Sequence, residues 1–405
     1  MTMSSLNPES SRQPQRYKEI ATRFLKLGAM AYGGPAIMGI MQAELQQKRQ
    51  WLSKPRFVVG VSLVNMLPGA GATQLGIFLG YTRAGWWGGL LAGLCFVLPA
   101  FLIMLVLTFA YVTYGELPWL RGALYGLGPV VLGIFVVAVY RLGRNAISSP
   151  ISGVIAVAAA AAVLTGPLGI ASVLALAGAL GIGLFYSRRM GLLLLMLFGS
   201  LALGAQVVAP YFGGDASATQ PGAGLIDIGS FFFKVGALSF GGGLSMIAFI
   251  QEQVVNQFHW LTPREFVDGL ALGQLTPGPI LMVAAFVGYK LAGINGALVG
   301  GAAIFLPSFM LMLSIMPIYE RVRRLLWMKA ALQGIAPAVI GTLAVSLLQM
   351  APHAVPDRFA AVLFVLALVG LLGWRVSALR AMLGGALFGL MRDRIVALPG
   401  LRALF

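Results

Sequence analysis

The chain contains the sequence Phe24-Leu-Lys-Leu-Gly28-Ala-Met-Ala-Tyr-Gly33-Gly34 and repeats it, 208 residues later, as Phe232-Phe-Lys-Val-Gly236-Ala-Leu-Ser-Phe-Gly241-Gly242. With one inserted residue and a compensating deletion, the match runs from 24–133 onto 232–341. It includes the pairs Trp51-Leu52 and Trp260-Leu261, Pro68-Gly69 and Pro277-Gly278, and Pro129 and Pro337. This ordered series of matches indicates a tandem duplication, an organisation common among membrane transporters.

The composition identifies the environment of the repeats. Of the 405 residues, 59% are hydrophobic and only 10% are charged, and the mean hydropathy is +0.89. Soluble domains are about 25% charged, so this chain cannot cover a water-facing surface. At roughly 20 residues per span, we predict an all-α integral membrane protein with about 12–13 transmembrane or re-entrant helices in two homologous repeats.

The polar segments divide the chain into four parts. We predict a cytoplasmic N-terminal tail at 1–23, a first repeat at 24–211, a linker at 212–230 and a second repeat at 231–405. The linker assignment rests on the polar stretch at 213–229, which is rich in glycine, serine and alanine.

The basic residues indicate that the two repeats have opposite orientations. The segment 44–56 contains four lysines and arginines while its counterpart 252–265 contains one, and the pattern is reversed between 115–121 and 318–329. Cytoplasmic loops hold an excess of these residues, so we expect inverted topology, produced by five crossings between 86 and 211. The basic residues near the C-terminus do not fit this scheme, which leaves the topology of the last 30 residues open.

The remaining totals exclude several classes of protein. The net charge of +16 comes from residues in short segments between apolar stretches, where they set orientation, so we expect no nucleic-acid partner. One cysteine, Cys95, and two histidines, His259 and His353, give little material for a metal or haem site. We therefore expect no metal, no cofactor and no enzymatic activity.

Glycine and proline interrupt four of the apolar stretches at matching places in the repeats. Backbone freed at membrane depth is tolerated only where it is buried in protein or lines a wet cavity, and the start of a half-helix attracts anions. A single break of this kind is explained as a packing kink, but four in repeat-related pairs indicate a substrate site. The breaks are Gly33-Gly34-Pro35, Pro68-Gly69, Gly241-Gly242-Gly243 and Pro277-Gly278-Pro279.

Polar side chains near the breaks are further candidates for substrate binding. Lys26 and Lys234 occupy equivalent positions seven residues before the first break of each half, and they either bind the substrate or extend to the membrane interface. Asn65 and Gln274 precede the Pro-Gly breaks by three residues, and Gln74 follows the first of them. These amides either bond an oxyanion or bond between helices.

Three carboxylates are candidates for ion coupling. Glu44 and Glu252 are a repeat-related pair at segment ends, and an interfacial position without a role in coupling explains them equally well. Asp268 lies inside an apolar segment opposite Val59, which makes it an asymmetric candidate for a proton or cation site.

The sequence resembles the chromate ion transporter family in its two-domain form, over roughly 20–340. The resemblance rests on Tyr32-Gly33-Gly34-Pro35, Trp51-Leu52, Phe96-Val-Leu-Pro99, Ser239-Phe-Gly-Gly-Gly243 and Gly269-Leu-Ala-Leu-Gly-Gln274-Leu-Thr-Pro-Gly-Pro279. It implies a multi-pass protein of the plasma membrane that exports chromate, with sulfate as a related oxyanion, and that confers chromate resistance. Two positions depart from the family pattern: Ala70, where proline is common, and Asn65, where glutamine is common.

Other functions compete with this interpretation. A transporter of sulfate or another inorganic anion shares every feature described above. A membrane enzyme would need redox ligands or a nucleotide site, a pump for lipophilic cations would need acidic cavity residues, and a passive channel would use the same broken helices. The expected partners are the oxyanion and the lipid bilayer, and a homo-oligomer is compatible with the sequence. The sequence does not determine which ion is coupled to transport.

Overall fold

A computed structural model describes residues 8–30, 34–165, 169–212, 224–239, 245–318, 325–374 and 376–392. Within these ranges all regular structure is helical. The prediction of an all-helical protein with several long apolar helices in two homologous halves is confirmed.

The helices of the first half begin in the predicted tail and end at the linker. They are α1 Pro8–Met30, α2 Gly34–Met41 with a π-helical continuation Gln42–Lys48, α3 Lys54–Met66, α4 Gly71–Tyr114, α5 Pro118–Ala146, α6 Pro150–Thr165, α7 Ile170–Phe185 and α8 Arg188–Phe212. Residues 8–23 of the predicted tail are thus the first part of α1.

The second half repeats the first seven helices in the same order. They are α9 Leu225–Ala237, α10 Ser245–Gln251 with a π-helical continuation Glu252–Gln257, α11 Pro263–Leu275, α12 Val283–Ile315 between short 3-10 turns, α13 Leu326–Ala354, α14 Arg358–Leu372 and α15 Ala378–Leu390. Helix α8 has no counterpart among the described residues. An additional helix between the halves is what an inverted repeat requires, because it places the second half on the opposite side.

The glycine/proline breaks divide four apolar stretches into separate helices. The Pro-Gly breaks lie between α3 and α4 and between α11 and α12. The other two lie between α1 and α2 and between α9 and α10, and Gly33 and Gly241–Gly243 fall outside the described residues. Gly34 and Pro35 form the start of α2.

Helices α4 and α12 each fold back on themselves. Gly85 has φ +67° and Gly293 has φ +59°, left-handed values that favour glycine, and the alanine before each glycine is also non-helical. Gly80 lies so close to Gly88 that a Cβ on either would collide with the other's carbonyl, and the same holds for Gly288 and Gly296. Each helix therefore consists of a short arm (71–83 or 283–291) and a long arm (86–114 or 294–315).

The short arm pairs with the preceding helix to form a re-entrant hairpin. Helices α3 and α11 have 13 residues each, about 20 Å, which is less than the roughly 30 Å of the hydrocarbon core. A Cβ on Gly60 of α3 would lie 2.5 Å from the ring of Phe78, and Gly269 of α11 packs on Phe286 in the same way. We call 54–83 the first hairpin, with the first tip at 67–70, and 263–291 the second hairpin, with the second tip at 276–279.

The two halves exchange helices in the remainder of the fold. Helix α7 packs on α13 of the other half, and α15 packs correspondingly on α5. Gly334 of α13 approaches the carbonyl of Ala177, and Gly126 of α5 approaches that of Gly385, so the contacts repeat with the halves interchanged. This reciprocity relates the halves by a pseudo-twofold axis.

The exterior of the helices is suited to lipid. By length and composition, four of the described helical segments can cross a membrane: 71–114, which contains the reversal, 118–146, 280–318 and 326–354. Large apolar side chains on α8 face outward, among them Leu192, Leu193 and Met196. Five helical segments lie between 86 and 212, matching the number that the predicted inversion needs.

The close approach of α5 and α15 gives a testable prediction. A Cβ at Gly126 would meet the backbone of Gly385, so Gly126→Ala should destabilise the protein by about 1–3 kcal/mol, as overpacking does. Gly384→Ala, in open space on α15, should change stability by no more than about 0.5 kcal/mol. Thermal unfolding of the purified protein in detergent measures both, and equal unfolding temperatures would contradict the described helix contact.

The candidate binding site at two hairpin tips

The first tip is held by the second repeat. The Gly69 N–H donates to the carbonyl oxygen of Ser239 at 2.7 Å, and the Ser239 hydroxyl donates back to the Gly69 carbonyl at 3.4 Å. The Ala70 N–H donates to Oγ of Ser308 at 2.8 Å. Ser239 follows α9 and Ser308 lies in the long arm of α12, so the tip of one repeat is embedded in the other.

The second tip lies in the first repeat in a reciprocal position, but its surroundings are less polar. A Cβ on Gly278 would lie 2.8 Å from Cβ of Ala100, the residue equivalent to Ser308, and 3.6 Å from the Gly28 carbonyl oxygen. The buried hydroxyl of Thr276 donates to Leu272 of its own helix at 2.8 Å. The two tips therefore share a backbone geometry, with φ +131° at Gly69 and +102° at Gly278, and differ in chemistry.

Two buried polar side chains follow the first tip. Gln74 donates through Nε2 to the Pro68 carbonyl at 2.7 Å, while its Oε1 has no hydrogen-bond partner among the described residues. Oγ1 of Thr73 also lacks a partner there, and both side chains are fully buried. Helix α4 starts at this point without a side-chain cap, so its first N–H groups are directed at the tip.

The other predicted binding residues lie apart from these contacts. Asn65 is exposed and Gln274 half-buried, and neither makes a hydrogen bond within the described part of the chain. Lys26 and Lys234 are exposed, on the faces of α1 and α9 opposite the fully buried rings of Phe24 and Phe232. The structure thus brings Gln74, Pro68 and Gly69 together and leaves the two lysines on the outer surfaces of their helices.

Sequence reasoning missed Ser308, Ser239 and Thr73. The repeat alignment contained a signal for the two serines, because Ser308 is equivalent to Ala100 and Ser239 to Ala31. A hydroxyl that appears in only one copy of an internal repeat marks a position where the two copies have different tasks.

Glu44 and Glu252 are equivalent in sequence and have different partners. Glu44 accepts a hydrogen bond from Nε of Arg49 at 2.9 Å, with Lys48 and Arg23 within 3.9 Å. The hydrogen bond from Arg49 holds the pKa of the Glu44 carboxyl below its usual value. Among the described residues, Glu252 bonds the amides of Asn256 and Gln257, at 2.9 and 3.5 Å. The arrangement favours Glu44 as a member of an interfacial ion-pair cluster.

Asp268 is a buried carboxylate at a contact between repeats. Its side chain is almost fully buried, its Oδ1 lies 3.4 Å from Nε of Arg264, and its Oδ2 accepts from the hydroxyl of Tyr111 at 3.2 Å. Tyr111 belongs to the long arm of α4, so this contact joins the second hairpin to the first repeat. An ionisable group in this setting is a functional candidate.

An apolar cavity of about 470 Å³ adjoins the first tip. Pro68 and Met66 from the first hairpin, Leu238 from the end of α9, and side chains of α7, α8 and α13 line it. The indole N–H of Trp327 is the one side-chain donor among these residues, so the lining offers an oxyanion little to bind. The cavity provides space beside the tip.

Comparisons with known proteins agree with the duplicated architecture. A family model described as Chromate transporter matches residues 18–184 and 226–390. The chain is 32% identical to a chromate transport protein of Cupriavidus metallidurans over 92% of each chain. It is also 32% identical to a chromate transport protein of Pseudomonas aeruginosa, over 91% of this chain and 90% of that protein. No solved structure matches.

The environment of Asp268 predicts a specific pattern of stabilities. Arg264→Met leaves the buried carboxylate of Asp268 without its partly exposed cation and should cost about 1–3 kcal/mol, the scale for an unsatisfied buried polar group. Adding Asp268→Asn should recover much of that loss, because the uncompensated charge is removed.

Lys290→Met is the matched control, since it breaks the pair between Lys290 and Glu265 at 2.8 Å, in which neither side chain is buried, and it should cost about 1 kcal/mol or less. Thermal unfolding in detergent compares the variants. A double variant less stable than Arg264→Met alone would show that the two side chains do not act as a pair.

Proposed function

Since the chain belongs to the chromate transporter family, we propose that it is a secondary active transporter that exports chromate from the cytoplasm by alternating access. Its family consists of membrane transporters rather than enzymes, and the chain is a multi-pass protein of the cell membrane. Export and resistance to chromate are the finer parts of the proposal.

The observation that carries the proposal is the reciprocal placement of the two tips. Each broken hairpin is embedded in the opposite repeat, the first against Ser239 and Ser308 and the second against Ala100. A rocking motion of one repeat against the other therefore moves both tips at once. In transporters with internal repeats, such a motion exposes a central site to each side in turn.

The chemistry at the breaks suits a tetrahedral oxyanion. Chromate and sulfate offer only oxygen acceptors at neutral pH, and the first tip offers backbone N–H groups, hydroxyls and the start of a half-helix. The proposed site consists of the four breaks together with Asn65, Gln74 and Gln274. Lys26 and Lys234 are proposed as cations that attract the anion along its path through the protein.

The membrane potential assists export of an anion. Moving one negative charge outward across a negative-inside membrane releases about 2.3 kcal/mol per 100 mV, and a dianion releases twice as much. Asp268 is the leading candidate for a coupling group, because it is buried and contacts both repeats; Glu252 and then Glu44 follow it.

Sulfate or another inorganic anion is the second candidate substrate. Ala70 and Asn65 support this second candidate, since both depart from the pattern of the family. Both lie in the first hairpin, Ala70 at the tip and Asn65 one turn before it. Substrate choice in this chain is therefore a separate question from membership of the family.

Uptake of chromate into inside-out membrane vesicles tests the proposal. Energised vesicles that contain the chain should accumulate chromate above vesicles without it, and excess sulfate should compete. Gly69→Ala should abolish uptake, because the residue has φ +131° and its Cβ would lie against Gln74 and Ser308. Gly39→Ala, with open space around it, should leave uptake unchanged.

Accumulation of sulfate without chromate would replace the substrate and keep the mechanism. Uptake that follows the concentration gradient and ignores energisation would identify a channel. No uptake of either anion by well-expressed protein would contradict the proposal.

A further inference from the structure

The hydrogen bond between Ala70 and Ser308 has no equivalent at the second tip, because that tip lacks both its donor and its acceptor. The residue equivalent to Ser308 is Ala100, which has no hydroxyl, and the residue equivalent to Ala70 is Pro279, which has no N–H. Donor and acceptor are thus present together at the first tip and both missing from the second. The asymmetry between the tips is concentrated in this pair.

Ser308 has a hydroxyl hydrogen that the described residues do not use. Its oxygen accepts from the Ala70 N–H at 2.8 Å, and it donates no hydrogen bond to a described residue. Three other buried hydroxyls in the chain donate to carbonyls of their own helices at 2.7–3.0 Å, those of Thr108, Thr276 and Thr342. Ser308 therefore holds a fixed oxygen and a free donor in a fully buried position.

The polar groups around Ser308 are also incompletely bonded. A Cβ on Gly69 would meet both Oγ of Ser308, at 2.5 Å, and the amide of Gln74, so these two side chains border the same small space. Oε1 of Gln74 and Oγ1 of Thr73 have no partner within the described ranges. Leaving a buried polar atom unpaired costs about 1–3 kcal/mol. An oxyanion relieves that cost for the Thr73 hydroxyl, which can donate, and not for Oε1 of Gln74, which can only accept.

We propose that Ser308 binds the transported oxyanion and that the first tip is the gate over this site. The oxyanion's oxygens replace the Ser239 carbonyl and Ser308 as acceptors from the Gly69 and Ala70 N–H groups when the tip moves away, and the Ser308 hydroxyl then donates to the same anion. This inference rests on the proposed function and assigns its specificity to one of the two tips.

The packing around the tips supports this division of roles. The first tip borders the apolar cavity through Pro68, which gives it room to move. The second tip is packed against Ala100 and the end of α1, and Pro279 fixes its backbone. In this proposal the first tip breaks its hydrogen bonds to Ser239 and Ser308 and moves, and the second tip serves as the support.

Binding of labelled chromate and labelled sulfate to the purified full-length protein tests the inference. Ser308→Ala removes the donor and should raise the dissociation constant about tenfold to a hundredfold, the range for a hydrogen bond to a charged group. Ala100→Ser, the corresponding change at the second tip, is the control and should leave the dissociation constant unchanged.

A second variant tests the role of the Ala70 N–H. Ala70 has φ −75° and follows a glycine of positive φ, the geometry that Pro279 and Gly278 adopt in the second repeat, so Ala70→Pro fits the backbone path of the tip. It removes the N–H and places its ring against Oγ of Ser308, which that N–H contacts. It should weaken binding, since the N–H that donates to the oxyanion is lost.

Each outcome is informative. A dissociation constant of Ser308→Ala equal to that of the unaltered chain overturns the inference and leaves the transporter standing. A loss of binding sites per chain at constant affinity indicates a purely structural role and overturns it as well, as does an unaltered dissociation constant of Ala70→Pro. Absence of chromate and sulfate binding in the unaltered, folded protein overturns the proposed function together with the inference.

Discussion

The hydrogen bonds from Gly69 and Ala70 to Ser239 and Ser308 meet a requirement that the bilayer imposes on every broken helix. Backbone groups freed at membrane depth need partners inside the protein, because lipid has none to offer. This chain supplies the partners from the opposite repeat. The exchange of α7 and α15 between halves and the close glycine contacts of Gly126 and Gly334 hold the repeats in the arrangement that makes those bonds.

Duplication supplies two similar hairpins, and divergence has given them different chemistry. The left-handed glycines of the tips and the reversals at Gly85 and Gly293 are preserved in both copies, since they define the path of the backbone. The side chains that touch the tips are not preserved, since serine at 308 corresponds to alanine at 100. Away from the tips, Glu44 lies in an ion-pair cluster, whereas Glu252 bonds amides among the described residues. A symmetric scaffold thus carries an asymmetric site.

The sequence predicted the features that depend on local chemistry and internal similarity. Composition indicated a membrane protein, and the Pro-Gly dipeptides after Asn65 and Gln274 located the hairpin tips, because proline and glycine break helices wherever they occur together. It could not indicate which residues face a tip, since Ser308 lies 238 positions from Ala70 along the chain and only the fold brings them together. For the same reason the sequence could not indicate the contact between Tyr111 and Asp268. It also could not indicate that the helix reverses at Gly85, because this glycine is one of many in the chain.

Labelling of cysteines at two equivalent positions tests the inverted arrangement most directly. Lys48 and Asn256 are both exposed and occupy matching sites in the π-helical continuations of α2 and α10. In a Cys95→Ser background, which removes the only native cysteine, Lys48→Cys should react with a membrane-impermeant maleimide in inside-out vesicles and not in intact cells. Asn256→Cys should react in intact cells and not in the vesicles. Labelling of both positions from the same side would contradict the inverted repeat.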